Sequence, residues 1–177
     1  MHVERARLVV SALLSSEALE SSLLESLKQT FGRIDFLSER LPFHYTRYYE
    51  SEMGPSLYRR MISFAELVPL DSLIQIKLET QRLEDRYRDD RGNRRVNLDP
   101  GLLSLHNFVL ATHKNYAHRI YLGDGVFADL TLLFRGGSFQ ALQWTYPDYA
   151  SSEMIHLLNL LRRVYLWQRR REGGGSS

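Results

Sequence analysis

The sequence predicts an α+β fold with a ferredoxin-like βαββαβ start, extended by antiparallel hairpins and a C-terminal helix. Three observations predict it. Up to residue 98, strand-like and helix-like apolar spacings follow one another in the order β-α-β-β-α-β. Two alternating runs then meet at Gly123-Asp124-Gly125, a strong hairpin signal. One long apolar stripe at helical spacing closes the pattern, from Glu153 to about Arg170.

Leu8 to Leu14 is a short apolar run containing Val9 and Val10, as expected of a buried strand. Ser15-Ser16-Glu17 supplies a hydroxyl cap and an early acid. Leu19, Leu23, Leu24, Leu27 and Phe31 follow at helical spacing, and Gly32 supplies the stop. Ile34 to Phe43 is extended, with Pro42 marking its end. Met61 to Val68 is expected as the second strand of a hairpin, after the turn signal Gly54-Pro55. Pro69 suits a first helical position. Leu70, Leu73, Ile74, Thr80, Leu83 and Tyr87 then mark a helix whose Gln75, Glu79, Arg82 and Arg86 form a solvated face. It ends in the charged loop Arg88 to Arg95.

Val96-Asn97-Leu98 is the next strand, ending at Asp99-Pro100-Gly101. Phe108 to Thr112, His118 to Leu122 and Val126 to Phe134 continue the strands, and Gly136-Gly137 turns into Phe139 to Trp144. Ser151 or Ser152 caps the last helix. Its Met154, Ile155, Leu157, Leu158, Leu161, Val164 and Tyr165 make a broad apolar stripe.

The 177 residues suit a single domain, expected over residues 1–172, with 173–177 as a flexible Gly/Ser tail. With no cysteine, the chain can form no disulfide, thiolate zinc site or cysteine nucleophile. No apolar run reaches the ~18 residues of a membrane span, and Met1-His2-Val3-Glu4-Arg5 does not lead into a signal peptide. A cytoplasmic protein without membrane contact is the expectation.

Several segments carry a resemblance together: Leu41-Pro42-Phe43, Tyr48 to Gly54, Val96 to Gly101, His118 to Leu122, and Trp144-Thr145-Tyr146-Pro147-Asp148-Tyr149. In this order and spacing they resemble the prokaryotic Domain of Unknown Function 4416 family, up to about Arg170. The resemblance implies no established activity. Members are sometimes described as GTP-binding, but the GxxxxGK[ST] loop and the GxGxxG fingerprint are both absent here.

The candidate site begins in the hairpin His118 to Phe134. If three residues connect its strands, Arg119 stands opposite Asp129. A two-residue turn would place His118 opposite Thr131 instead. The pair is either a cross-strand ion pair, worth about 0.2–1 kcal/mol, or part of a site in which Arg119 or His118 grips an anion and Asp129 positions the arginine. Asp99-Pro100-Gly101 either presents a carboxylate at a strand end or simply turns the chain. The Trp144 to Tyr149 segment either stacks a base or sugar or plugs the core, with Asp148 serving a helix N-terminus. Tyr45, Tyr48 and Tyr49 lie in a connection long enough to act as a lid.

Other chemistries lack their signatures. HExxH, EF-hand and GxSxG motifs are absent, so no metal ligand is assigned. His44-Tyr45-Thr46 has no second HxT copy, which tells against a two-histidine phosphoesterase. The residues therefore point to an anionic small molecule, such as a nucleotide or phosphorylated metabolite, and name no cofactor. Lys114, Arg119, Asp129, Tyr146 and Asp148 would bind it, with His118 and Asp99 as acid–base groups. The competing expectation is a non-enzymatic RNA-associated or protein-interaction module. It rests on Arg162, Arg163, Arg169, Arg170 and Arg171, a local charge of +3 between Ser151 and Glu172.

Overall fold

A computed structural model of the chain describes residues 3–173. Its strands are β1 (Arg5–Leu14), β2 (Ile34–Leu37), β3 (Leu41–Pro42), β4 (Tyr58–Pro69), β5 (Val96–Leu103), β6 (Asn107–Thr112), β7 (Arg119–Gly123), β8 (Val126–Arg135) and β9 (Ser138–Ala141). The helices are α1 (Glu20–Phe31), α2 (Glu50–Met53), α3 (Leu73–Arg86) and α4 (Ser152–Gly173). All strands join one sheet in the order β2-β4-β1-β5-β6-β8-β7, with β3 beside β4 and β9 beside β8. Every pairing is antiparallel. No helix among the described residues is long and apolar enough to cross a membrane.

The unbroken apolar run of β1 follows from its place at the centre of this sheet, covered on both faces. Leu8, Val10, Ala12 and Leu14 pack with Leu23 and Leu27 of α1 and with Leu73, Ile76 and Leu83 of α3. Val9, one residue out of phase, packs on the opposite face with Met154, Leu158, Leu161 and Tyr165 of α4. Arg7 shares that face and is 1% exposed. It donates from Nη1 to Gln168 Oε1 at 2.8 Å and pairs with Asp35, fastening β1 to α4 and β2. A third, smaller cluster joins Leu13 to Phe43, Met53 and Leu57, and so pins the connection between β3 and β4 to the sheet.

The local signals place most elements, and the differences have physical causes. Ser16 caps a 3-10 turn ahead of α1, its hydroxyl accepting the Ala18 N–H at 3.2 Å. Ser151 caps α4 by accepting the Met154 N–H at 3.2 Å. The turn between β7 and β8 contains only Asp124 and Gly125, both at positive φ (50° and 75°), as a two-residue hairpin turn requires. The register then shifts between Tyr121 and Gly123, and this bulge restores Arg119 opposite Asp129. Thus the expected partners meet through a turn other than the three-residue one. β5 does not stop at Asp99-Pro100-Gly101 but continues to Leu103, because β1 pairs with it throughout. The α4 stripe is narrower than its apolar sequence, leaving Val164 at its exposed edge. Gly173 still belongs to α4, and residues 174–177 of the expected tail lie outside the described residues.

Candidate functional site

The site originates in a fault in the sheet. β5 pairs with β1 from Val96 to Leu103, but with β6 only from Gly101 to Leu103. The backbone groups of Leu98 are taken by α3 instead of β6. Its N–H donates to Glu84 Oε1 at 2.6 Å, and its C=O accepts from Lys77 Nζ at 3.5 Å. By the two-residue repeat of a strand, Pro100 turns its nitrogen to this same edge, and proline has no N–H to continue the ladder. The two strands therefore part, and a cleft of about 590 Å³ opens between them.

Aromatic side chains wall this cleft: Phe43, Tyr45, Tyr48 and Tyr49 from the β3–β4 connection, Tyr146 and Tyr149 from the segment before α4. Lys77 and Glu84 rise from α3 to its floor, beside Asn97 and Asp99 of β5. Lys114 and Arg119 stand at the opposite side with Asp129. Gly101 makes room for the packing behind the floor: a Cβ there would come within 2.5 Å of the Phe108 ring, which lies against Tyr149 at 5.9 Å between centroids.

Most charges in the cleft are committed to each other. Arg59 donates to Asp148 Oδ2 at 2.7 Å and lies over the Phe43 ring at 4.9 Å. Arg94 grips both oxygens of Glu52: its Nε and Nη2 reach Oε2 at 3.0 and 2.9 Å, and its backbone N–H reaches Oε1 at 2.6 Å. That grip holds the Glu52 carboxyl below the usual range and anchors α2 to the loop before β5. Arg94 also donates to Asn97 Oδ1 at 2.8 Å, and Asn97 donates to Asp99 Oδ2 at 3.0 Å.

Two groups are less committed. Lys114 has no carboxylate partner among the described residues. Its ammonium donates to Tyr48 OH at 2.6 Å, a bond that lowers the Tyr48 phenol pKa. Glu84 is 4% exposed, and burial pushes its carboxyl up to about 7 against the opposing pull of the Leu98 N–H and Lys77.

The expected site residues thus occupy two kinds of place. Asp99, Lys114, Arg119, Asp129, Tyr146 and Asp148 all line the cleft. Arg119 links three of them, donating to Asp129 Oδ2 at 2.8 Å, to Tyr146 OH at 3.4 Å and to the Lys114 carbonyl at 3.0 Å. His118 does not line it. Its Nε2 lies 2.9 Å from Asp129 Oδ2, and its ring stacks on Trp144 at 5.0 Å, so it buttresses Asp129 from behind. Asp148 does not cap α4. Its two oxygens take Arg59 and the Tyr149 N–H.

Arg59, Lys77, Glu84 and Arg94 were not among the expected site residues. For Lys77 and Glu84 a signal exists: with Leu73 and Thr80 they fall on the inward row of α3, where charged groups are out of place.

The cleft can therefore offer an uncompensated ammonium and a fixed guanidinium on one side, two carboxylates and a lysine on the other, and aromatic faces between. No curated protein and no solved structure matches the chain. Residues 4–165 match the family model described as Domain of unknown function (DUF4416), and the chain belongs to that family.

Proposed function

We propose that the cleft binds an anionic small molecule, a nucleotide or another phosphorylated metabolite, with its phosphate between Lys114 and Arg119. The observation that carries this is Lys114, a cleft-lining cation whose ammonium is held among the described residues by the Tyr48 phenol alone. A phosphate is a stronger acceptor than that phenol, and two neighbouring cations suit its charge. Asp129, with His118 behind it, fixes the arginine. Tyr146 and Tyr48 offer faces to a ring or sugar, and Asp99 is the carboxylate available for proton transfer. The volume falls within the 300–1,000 Å³ common for small-molecule sites. The strand order β5-β1-β4-β2 supports the ferredoxin-like description of the first half of the chain. The absence of cysteine is compatible with a cytoplasmic setting.

A thermal-shift screen against nucleotides and sugar phosphates tests the proposal. A ligand at 100 times its Kd stabilises by about 2.7 kcal/mol, several degrees for a domain of this size. The shift is expected to vanish in Lys114→Ala, an exposed position whose loss leaves the fold intact. A flat screen, or a shift unchanged in that variant, overturns it.

A second reading places the function on α4, where Leu160, Val164 and Trp167 form an exposed row beside Arg163, Arg170 and Arg171. Arg162 and Arg169 are already engaged, on the Leu105 carbonyl and on Glu4. Salt-sensitive RNA binding lost on neutralising Arg163, Arg170 and Arg171, with a flat ligand screen, would favour this reading over the cleft.

A further inference from the structure

We propose that the floor of the cleft recognises hydroxyl groups, so that its ligand is a phosphate ester carrying a vicinal diol. This rests on the phosphate-binding reading of Lys114 and Arg119 and specifies what lies at the ligand's other end.

Glu84 is only 4% exposed, and just one of its oxygens accepts a hydrogen bond among the described residues. Oε1 accepts the Leu98 N–H, while Oε2 makes no hydrogen bond among the described residues. Asp99 stands beside it, with Oδ2 on Asn97 and Oδ1 3.8 Å from Lys77 Nζ. Lys77 is itself buried, and its contacts at 3.5 and 3.8 Å are longer than a well-formed N–H···O bond. The floor thus holds one carboxylate oxygen without a protein donor among the described residues, Glu84 Oε2, beside an ammonium whose three N–H groups have only these two long contacts.

That combination selects among chemical groups. A second anion there would face two carboxylates. An ammonium would face Lys77 and could accept nothing from it. A hydroxyl both donates and accepts, so it can give its proton to a carboxylate while receiving one from Lys77. Two carboxylates flanking one ammonium match two adjacent hydroxyls. An acidic side chain reading a ribose hydroxyl in nucleotide sites is the same physical solution. The phosphate is accordingly held at the Lys114 side, and the diol points inward.

Isothermal titration of the full chain at about pH 8, where Glu84 is ionised, tests this with two pairs of probes. These are ribose 5-phosphate against 2-deoxyribose 5-phosphate, and adenosine 5′-monophosphate against its 2′-deoxy counterpart. In each pair that binds, the hydroxylated probe is expected to bind about tenfold tighter, the worth of a hydrogen bond to a charged group. The pair that binds identifies the source of the diol. Glu84→Gln, which keeps an oxygen for the Leu98 N–H, is expected to shrink the difference within the pair that binds, whereas Lys114→Ala weakens both members of the pair alike. Thermal melting verifies that the variant folds. Equal affinities within each pair, with both weakened by Lys114→Ala, overturn the diol inference alone. Failure of all four probes to bind removes the phosphate reading and this inference with it.

Discussion

Replacing Glu84 with glutamine removes a carboxyl that folding drives toward its neutral form. The side chain is 4% exposed, and desolvation raises its pKa from an ordinary 4.5 to about 7. The Leu98 N–H at 2.6 Å and the nearby Lys77 oppose that rise without cancelling it. Because the folded value lies above the unfolded one, the native state keeps its proton longer. Between about pH 4.5 and pH 7 the native state binds more protons than the unfolded chain, so unfolding free energy falls as pH rises. A shift of this size corresponds to about 3 kcal/mol lost once the group is ionised in both states. Glutamine keeps the acceptor for Leu98 and carries no charge. Glu84→Gln is therefore expected to equal the wild type near pH 4 and to exceed it by about 1–3 kcal/mol near pH 8. Urea melts of both proteins across this range measure the difference. Curves that stay parallel from acid to alkaline pH would show that folding does not raise the Glu84 pKa.

Gly101→Ala is expected to destabilise by about 1–3 kcal/mol in urea melts, because its Cβ would meet the fully buried Phe108 ring at 2.5 Å. Asp129→Ala removes the acceptor shared by Arg119, His118 and Thr131 and is expected to cost about 2–4 kcal/mol. Asp129→Asn, which keeps an oxygen for Thr131, is expected to cost less in the same melts. Tyr48→Phe is expected to leave stability within about 0.5 kcal/mol and to tighten phosphate binding in calorimetry, since it releases Lys114 from its hydrogen bond.

The elements that rest on neighbouring residues were legible in the chain. Leu8 to Leu14 announces a strand buried on both faces, and Leu19 to Phe31 carries its helix period, cap and stop. The Arg119–Asp129 pair was legible as one of two registers, although a bulge at Leu122 and a shorter turn produce it. The cleft was not legible. It depends on β6 pairing with three residues of β5 and then parting from it, a non-local event whose local trace is Pro100 within a strand. Asp99-Pro100-Gly101 looked like a turn because aspartate, proline and glycine commonly make one. Pairing with β1 overrides that preference. Lys77 and Glu84 left a trace in the inward row of α3. Arg59 left none, since a strand arginine ordinarily faces solvent and only the fold brings Asp148 to it. His118 looked like an acid–base group by residue type, but its ring is enclosed between Asp129, Trp144 and Tyr116.

The function proposed for the cleft is the binding of a phosphate ester where β5 and β6 part. An amide-resolved NMR titration of the full chain with adenosine 5′-monophosphate tests it most directly. Saturable shifts are expected at Tyr48, Leu98, residue 114 and Arg119, and the Lys114→Ala variant is expected to show none of them. Shifts confined to the arginines of α4, or none at all, would contradict it.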